Sequence, residues 1–227
     1  MIWAIVPAAG RGARFGGGMP KQYLEIAGES LVVHAIDAVL ADARVAGCVV
    51  ALAADDAHWP GWTVRIGKPV LRCDGGGERA DSVLAALRAL PADVGDDDLV
   101  LVHDAARPNL RADDVERLID AALASADGAI LAAPVRDTLK RAAAGGTIAA
   151  TEPRDGLWRA LTPQAFRRGA LTRALQAARD AGIVVTDEAM AMERAGARPR
   201  LVEGREDNLK VTTPADLALA EYLIARG

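Results

Sequence analysis

The chain has 227 residues, 51% of them hydrophobic and 26% charged, which is the balance of a folded globular protein and excludes general disorder. Its 31 acidic and 27 basic residues leave a formal net charge of −4, the wrong sign for a nucleic-acid-binding surface. No run of about 18 apolar residues exists to span a membrane, and Met1 to Ala9 lacks the basic flank of a signal peptide.

In chain order, strands and helices alternate. Ile2 to Val6 is a continuous apolar run, the mark of a strand buried on both faces. Ser30 is placed to cap a helix carrying Leu31, Ala35, Ile36, Val39 and Leu40. Gly47 to Ala53 and Val70 to Cys73 read as the next strands, and Arg79 to Leu90 as a helix with Val83, Leu84 and Leu87 inward. Leu99 to Val102 is a further strand. Asp113 then opens a helix with Val115, Leu118, Ile119, Ala122 and Leu123, and Ala129 to Val135 is again a strand.

Between Thr138 and Leu161 large apolar residues become few, and Gly145-Gly146 marks a hairpin turn. Such a hairpin has little to bury against its own domain, so it is expected to project and pack on a second subunit. Thr162-Pro163, Asp187 and Thr213-Pro214 each read as the start of a helix. No repeat or interior linker is visible. The alternation predicts one α/β domain over residues 1–227, a mostly parallel sheet covered by helices on both faces. Ligands of such sheets gather at the carboxyl ends of the strands, which puts the loops after Val6, Cys73 and Val102 on one rim. Cys48 and Cys73 lie in apolar runs and read as free thiols, in keeping with a cytoplasmic location.

The loop Pro7-Ala8-Ala9-Gly10-Arg11-Gly12-Ala13-Arg14-Phe15-Gly16 follows the first strand directly. Small residues let backbone amides close on an anion, and Arg14 and Lys21 add the positive charge that a triphosphate requires. A dinucleotide fingerprint would need glycine where Phe15 stands, and a Walker A loop would need Ser or Thr after Lys21, where Gln22 is found. Taken alone, the loop is also compatible with a plain glycine-rich turn.

Five further stretches carry polar groups at strand ends or turns. Asp74 to Val83 joins a strand to a helix, with Gly76 and Ser82 able to read a base edge or simply to start the helix. His103-Asp104-Ala105-Ala106-Arg107-Pro108 puts a carboxylate at the rim, where it can hold Mg²⁺ or another divalent cation, or cap a turn; His103 reads as structural. Thr138 and Arg154 flank the hairpin, where such residues are ordinarily solvated. Thr186-Asp187-Glu188-Ala189 reads as a helix cap, and Asn208-Leu209-Lys210-Val211-Thr212 offers a lysine that composition alone would leave on the surface.

Together, Pro-Ala-Ala-Gly-x-Gly-x-Arg at Pro7 to Arg14 and Pro-Lys-Gln-Tyr at Pro20 to Tyr23 resemble the signature of nucleotidyltransferases that activate sugar and polyol phosphates. The other stretches bring the resemblance to the 2-C-methyl-D-erythritol 4-phosphate cytidylyltransferase family, over nearly the whole chain. That resemblance implies a single Rossmann-like nucleotidyltransferase domain, with residues of about 136–160 forming a β-arm that makes a homodimer. It implies CTP held by Ala8, Ala9, Gly10, Gly12, Gly76 and Ser82, and a metal on Asp104. The acceptor phosphate would meet Arg107, Thr138, Arg154, Thr186 and Lys210, with Thr138 and Arg154 reaching across the dimer. Arg14, Lys21, Arg154 and Lys210 would be the catalytic charges.

The family varies at the position of Gly77, so no side-chain contact is carried over there. Whether Asp207 or Asn208 assists the metal stays open. No fused cyclase domain is expected after the last helix. The alternatives are a ribitol 5-phosphate cytidylyltransferase and a non-catalytic nucleotide-binding module. An oxidoreductase is disfavoured by Phe15 and by the lack of a convincing acidic residue at the end of the second strand.

Overall fold

The computed structural model describes residues 1–10 and 19–226. Gly12 and Arg14, both assigned to the triphosphate, therefore lie outside the described residues. The strands are β1 (Ile2–Pro7), β2 (Glu25–Ile26), β3 (Glu29–Ser30), β4 (Val45–Leu52), β5 (Val64–Arg65) and β6 (Lys68–Asp74). They continue with β7 (Leu99–Val102), β8 (Ala129–Pro134), β9 (Leu139–Ala142), β10 (Ile148–Glu152), β11 (Trp158–Arg167) and β12 (Arg200–Glu203). The helices are α1 (Leu31–Leu40), α2 (Arg79–Arg88), α3 (Ala112–Leu123), α4 (Arg168–Asp180), α5 (Glu188–Arg194) and α6 (Pro214–Ile224).

One sheet of the order β12-β8-β11-β7-β1-β4-β6-β5 organises the chain. β12, β8, β7, β1, β4 and β6 share one direction, and β11 and β5 run against it. Alternate residues of β1 show why both faces must be covered. Ala4 and Val6 pack with α1 and α3, whereas Trp3 and Ile5 pack with α2, α4 and α5. α6 closes a smaller cluster with Ile26, Leu31 and Val211. This is the α/β architecture that the alternation of elements predicts. Leu123, in the apolar set assigned to α3, is exposed.

β9 and β10 form a separate antiparallel hairpin outside the main sheet, turning through Gly145 and Gly146, whose φ angles of 82° and 79° favour glycine. The reading of Thr162-Pro163 as a helix start is corrected. The pair lies inside β11, joined by a cis peptide bond, and the next helix, α4, begins only at Arg168. Pairing with β7 on one side and β8 on the other buries Leu161, Ala165 and Phe166 together, and this outweighs a local capping preference. Ser30 does precede α1, but its hydroxyl makes no capping bond. Asp187 and Thr213 cap as expected, accepting from Met190 N–H and Asp216 N–H.

Candidate active site

The carboxyl ends of β1, β6 and β7 meet at one rim, where a cleft of about 210 Å³ opens. Ala8, Ala9, Gly10 and Lys21 form one wall, Gly76, Arg79 and Ser82 a second, and Asp104 and Lys210 a third. Eight of the residues assigned from sequence are thus gathered at a single opening.

Short hydrogen bonds build each wall. Ala8 N–H donates to the Ala51 carbonyl at 2.8 Å, continuing the β1–β4 pairing past the strand, and the buried Gln22 amide donates to the Ala8 carbonyl at 2.7 Å. The Pro-Lys-Gln-Tyr run therefore fastens the start of the glycine-rich loop. At the second wall, Gly76 N–H donates to Ser82 Oγ at 3.1 Å. A Cβ at Gly75 would stand 2.6 Å from Ala9 Cβ, so glycine lets two walls touch.

The third wall depends on a buried polar chain. His103 Nε2 lies 3.0 Å from the Arg107 carbonyl, which can only accept, so this nitrogen carries the proton. Nδ1 then accepts from the Thr162 hydroxyl at 3.0 Å, and Thr162 Oγ1 in turn accepts from Asp104 N–H at 3.0 Å. Burial pushes the His103 pKa down from 6.5 to about 4, so the ring stays neutral, in the structural role expected of it. The loop that carries Lys210 is tied to the same place. Arg107 donates to the Asn208 carbonyl at 2.6 Å, and the Asn208 amide donates to the Thr162 carbonyl at 2.8 Å. Lys21 Nζ donates to the Val211 carbonyl at 3.1 Å.

Asp104 is the hub. Arg79 Nε donates to its Oδ1 at 2.9 Å, Lys210 Nζ lies 2.8 Å from its Oδ2, and Arg107 Nε is 3.6 Å from Oδ2. Burial works to raise the Asp104 carboxyl, but Arg79 and Lys210 override it and hold the group far below the usual carboxylate range. Glu188, fully buried, takes the other two nitrogens of Arg79 at 2.5 and 3.0 Å. Three cations therefore face two carboxylates, an excess of positive charge suited to an anionic ligand.

The remaining assigned residues stand elsewhere. Arg107 is buried behind Asp104, outside the cleft lining. Thr138, Arg154 and Thr186 are exposed and also lie outside that lining. Arg154 donates to the Arg136 carbonyl, and Thr186 sits against Met190 Sδ. Arg79 and Glu188, to which sequence reading gives no role, are in the cluster. Arg79 lies in the Asp74 to Val83 stretch and Glu188 in Thr186-Asp187-Glu188-Ala189, so both stand in stretches that carry the resemblance, but neither spelling shows that the two side chains meet.

The model of the 2-C-methyl-D-erythritol 4-phosphate cytidylyltransferase family matches residues 2–226. The chain belongs to this family. A 2-C-methyl-D-erythritol 4-phosphate cytidylyltransferase of Stenotrophomonas maltophilia is 63% identical over 225 residues, covering 99% of this chain and 97% of that one. A protein of the same name from Xanthomonas campestris is 63% identical over 224 residues, covering 99% of this chain and 84% of that one. Among solved structures, a 4-diphosphocytidyl-2C-methyl-D-erythritol synthase superposes with a TM-score of 0.85 at 37% identity, over 98% of both chains. The cytidylyltransferase of Francisella tularensis gives 0.83 at 31% identity, over 98% of this chain and 99% of that one. Membership of the cytidylyltransferase family agrees with a cleft that pairs a small-residue loop with clustered cations.

Proposed function

We infer that this enzyme transfers CMP from CTP to 2-C-methyl-D-erythritol 4-phosphate, releasing pyrophosphate and forming 4-diphosphocytidyl-2-C-methyl-D-erythritol, a step in the synthesis of isoprenoid precursors. The observation that carries this reading is the meeting of the Ala8–Gly10 loop, the Gly76–Ser82 turn and the Asp104–Lys210 pair at one rim. An oxygen of the acceptor phosphate attacks the α-phosphorus of CTP. As that bond forms, the bond from the α-phosphorus to the bridging oxygen breaks, and its electron pair leaves with pyrophosphate. No protein nucleophile is needed, so catalysis rests on positioning and charge neutralisation.

Within this scheme Gly76 and Ser82 hold cytosine, Ala8, Ala9, Gly10 and Gly12 hold the triphosphate, and Arg14 and Lys21 offset its charge. Lys210 turns from Asp104 to the reacting phosphates, and Arg107 holds the segment from which it projects. Asp104 suits Mg²⁺: it is an ionised carboxylate in the cleft lining, in a setting that already favours cations at its oxygens. No group of three or more His, Cys, Asp or Glu side chains that could hold a metal occurs among the described residues, so Asp104 is the side chain that would hold the cation. When bound, Mg²⁺ neutralises phosphate charge. The Asn208 amide N–H donates to the Thr162 carbonyl while its Oδ1 is buried without a hydrogen-bond partner, and Asp207 faces Arg205 and Arg111.

The arm of about residues 136–160 is assigned to a homodimer, in which Thr138, Arg154 and Thr186 complete the acceptor site. The exposure of Ile148, Leu157 and Trp158, and the position of Thr138 and Arg154 outside their own cleft lining, support this. A cytoplasmic location accords with the free thiols of Cys48 and Cys73. No helix among the described residues is long and apolar enough to cross a membrane.

Pyrophosphate release with CTP, Mg²⁺ and each of two acceptors tests the reading. Turnover is expected with methylerythritol phosphate. Turnover with ribitol 5-phosphate alone would assign a different acceptor, and CTP binding without turnover would leave only a nucleotide-binding module.

A further inference from the structure

Arg79 and Glu188 take no part in the bond changes described above, yet both are locked into the cluster. Glu188 opens α5, and its carboxylate is spanned by Nη1 and Nη2 of Arg79. Only Nε of that guanidinium remains for Asp104, and it reaches Oδ1 alone. Oδ2 is left to Lys210 at 2.8 Å, with Arg107 Nε at 3.6 Å. The contacts run Glu188, Arg79, Asp104, Lys210, and they join α5, α2, the loop after β7 and the loop after β12.

Glu188 itself stands on a fixed support. The Gln164 carbonyl oxygen accepts from Ala189 N–H at 2.8 Å, and the Gln164 amide donates to Asp187 Oδ2 at 2.9 Å. The first turn of α5 is therefore pinned to β11. A buried ion pair of this kind is a poor stability device, because desolvation offsets much of its attraction. Its geometric consequence is clearer. A guanidinium presents a planar fork that prefers to grip a carboxylate with two nitrogens. Without Glu188, the nearest carboxylate for that fork is Asp104, and a two-nitrogen grip there would occupy both oxygens and displace Lys210.

We propose that Glu188 is a positioning residue, which by holding the fork of Arg79 limits it to one bond on Asp104 and so keeps Lys210 on Asp104 Oδ2, in the lining of the cleft that receives the reacting phosphates. The proposal rests on the cytidylyl-transfer reading given above. It also couples α5, the helix that follows Thr186 on the acceptor side, to the cation cluster in the donor cleft.

The test is a double-mutant cycle with Glu188→Gln, Arg79→Lys and the double variant, measuring kcat, KM for CTP and thermal midpoint. Glu188→Gln is expected to lower kcat on the order of 10-fold to 100-fold, the range for groups that orient a site from behind. KM for CTP should stay level or fall, because the cleft loses a negative charge while binding an anion. Lysine cannot span two carboxylates, so Arg79→Lys should lower kcat similarly, and the double variant should be no worse than the poorer single one. A kcat for Glu188→Gln within twofold of the parent overturns the proposal, as do losses that multiply in the double variant. If Glu188→Gln does not fold, Glu188→Asp takes its place in the cycle with the same expectations. A parent enzyme that releases no pyrophosphate overturns the function itself, and an active parent with an unaffected Glu188→Gln overturns this proposal alone.

Discussion

His103 shows how much a single buried side chain sets at this site without touching substrate. Both ring nitrogens are spoken for, one donating to the Arg107 carbonyl and one accepting from Thr162. Since burial lowers its pKa from 6.5 to about 4, the unfolded chain binds more protons than the folded one between those values. Stability from this group is therefore complete above about pH 6.5 and lost as pH falls towards 4, by about 3 kcal/mol at most. Urea denaturation of the parent and of His103→Gln at pH 7 and at pH 4 should show the stability gap between them shrinking by about that amount. A gap that ignores pH would mean the imidazole does not titrate as its surroundings dictate. The dipeptide His103-Asp104 was legible in sequence as a rim feature. Its partner Thr162 was not, because a threonine before proline signals a helix start locally.

At the scale of elements, β11 has the largest unforeseen role. It runs against its neighbours in the centre of the sheet, supplies Thr162 to Asp104 N–H, and supplies Gln164 to the first turn of α5. Gln164→Ala would leave Ala189 N–H buried without a partner, a loss on the order of 1–3 kcal/mol. The same change should lower kcat, because it frees the helix that bears Glu188. Chemical denaturation and steady-state kinetics on one preparation would check both, and full activity in a destabilised variant would show α5 to be held by other means. The short edge strands β5 and β12 also went unread. Both are rich in charge and partly exposed, so neither offers the apolar run that betrayed β1, β4 and β7.

For the whole molecule, the question is whether one chain carries a complete site. Thr138 and Arg154 sit on an exposed arm away from the cleft lining, so a dimer is expected by sedimentation at micromolar concentration. Subunit mixing gives a sharper readout. Arg154→Ala and Lys210→Ala should each be nearly inactive, yet co-expression of the two should restore activity, because one site of each mixed dimer then has both intact residues. Failure to recover activity in proven mixed dimers would place Arg154 in its own subunit's reaction or in none.

The sequence by itself determined the alternation of strands and helices, the rim on which the loops gather, and the motifs that mark the family. These are local or periodic properties: apolar runs, glycine at close approaches, and charged residues at strand ends. Only the tertiary structure decided that Thr162-Pro163 lies within a strand, and that Arg79 and Lys210 converge on Asp104 with Glu188 holding Arg79. The strand is settled by pairing on both edges and the cluster by loops brought together from remote parts of the chain. The glycine-rich loop was plain to read. The side chains that keep its neighbouring carboxylate in position became visible only once the sheet had brought them within hydrogen-bonding distance.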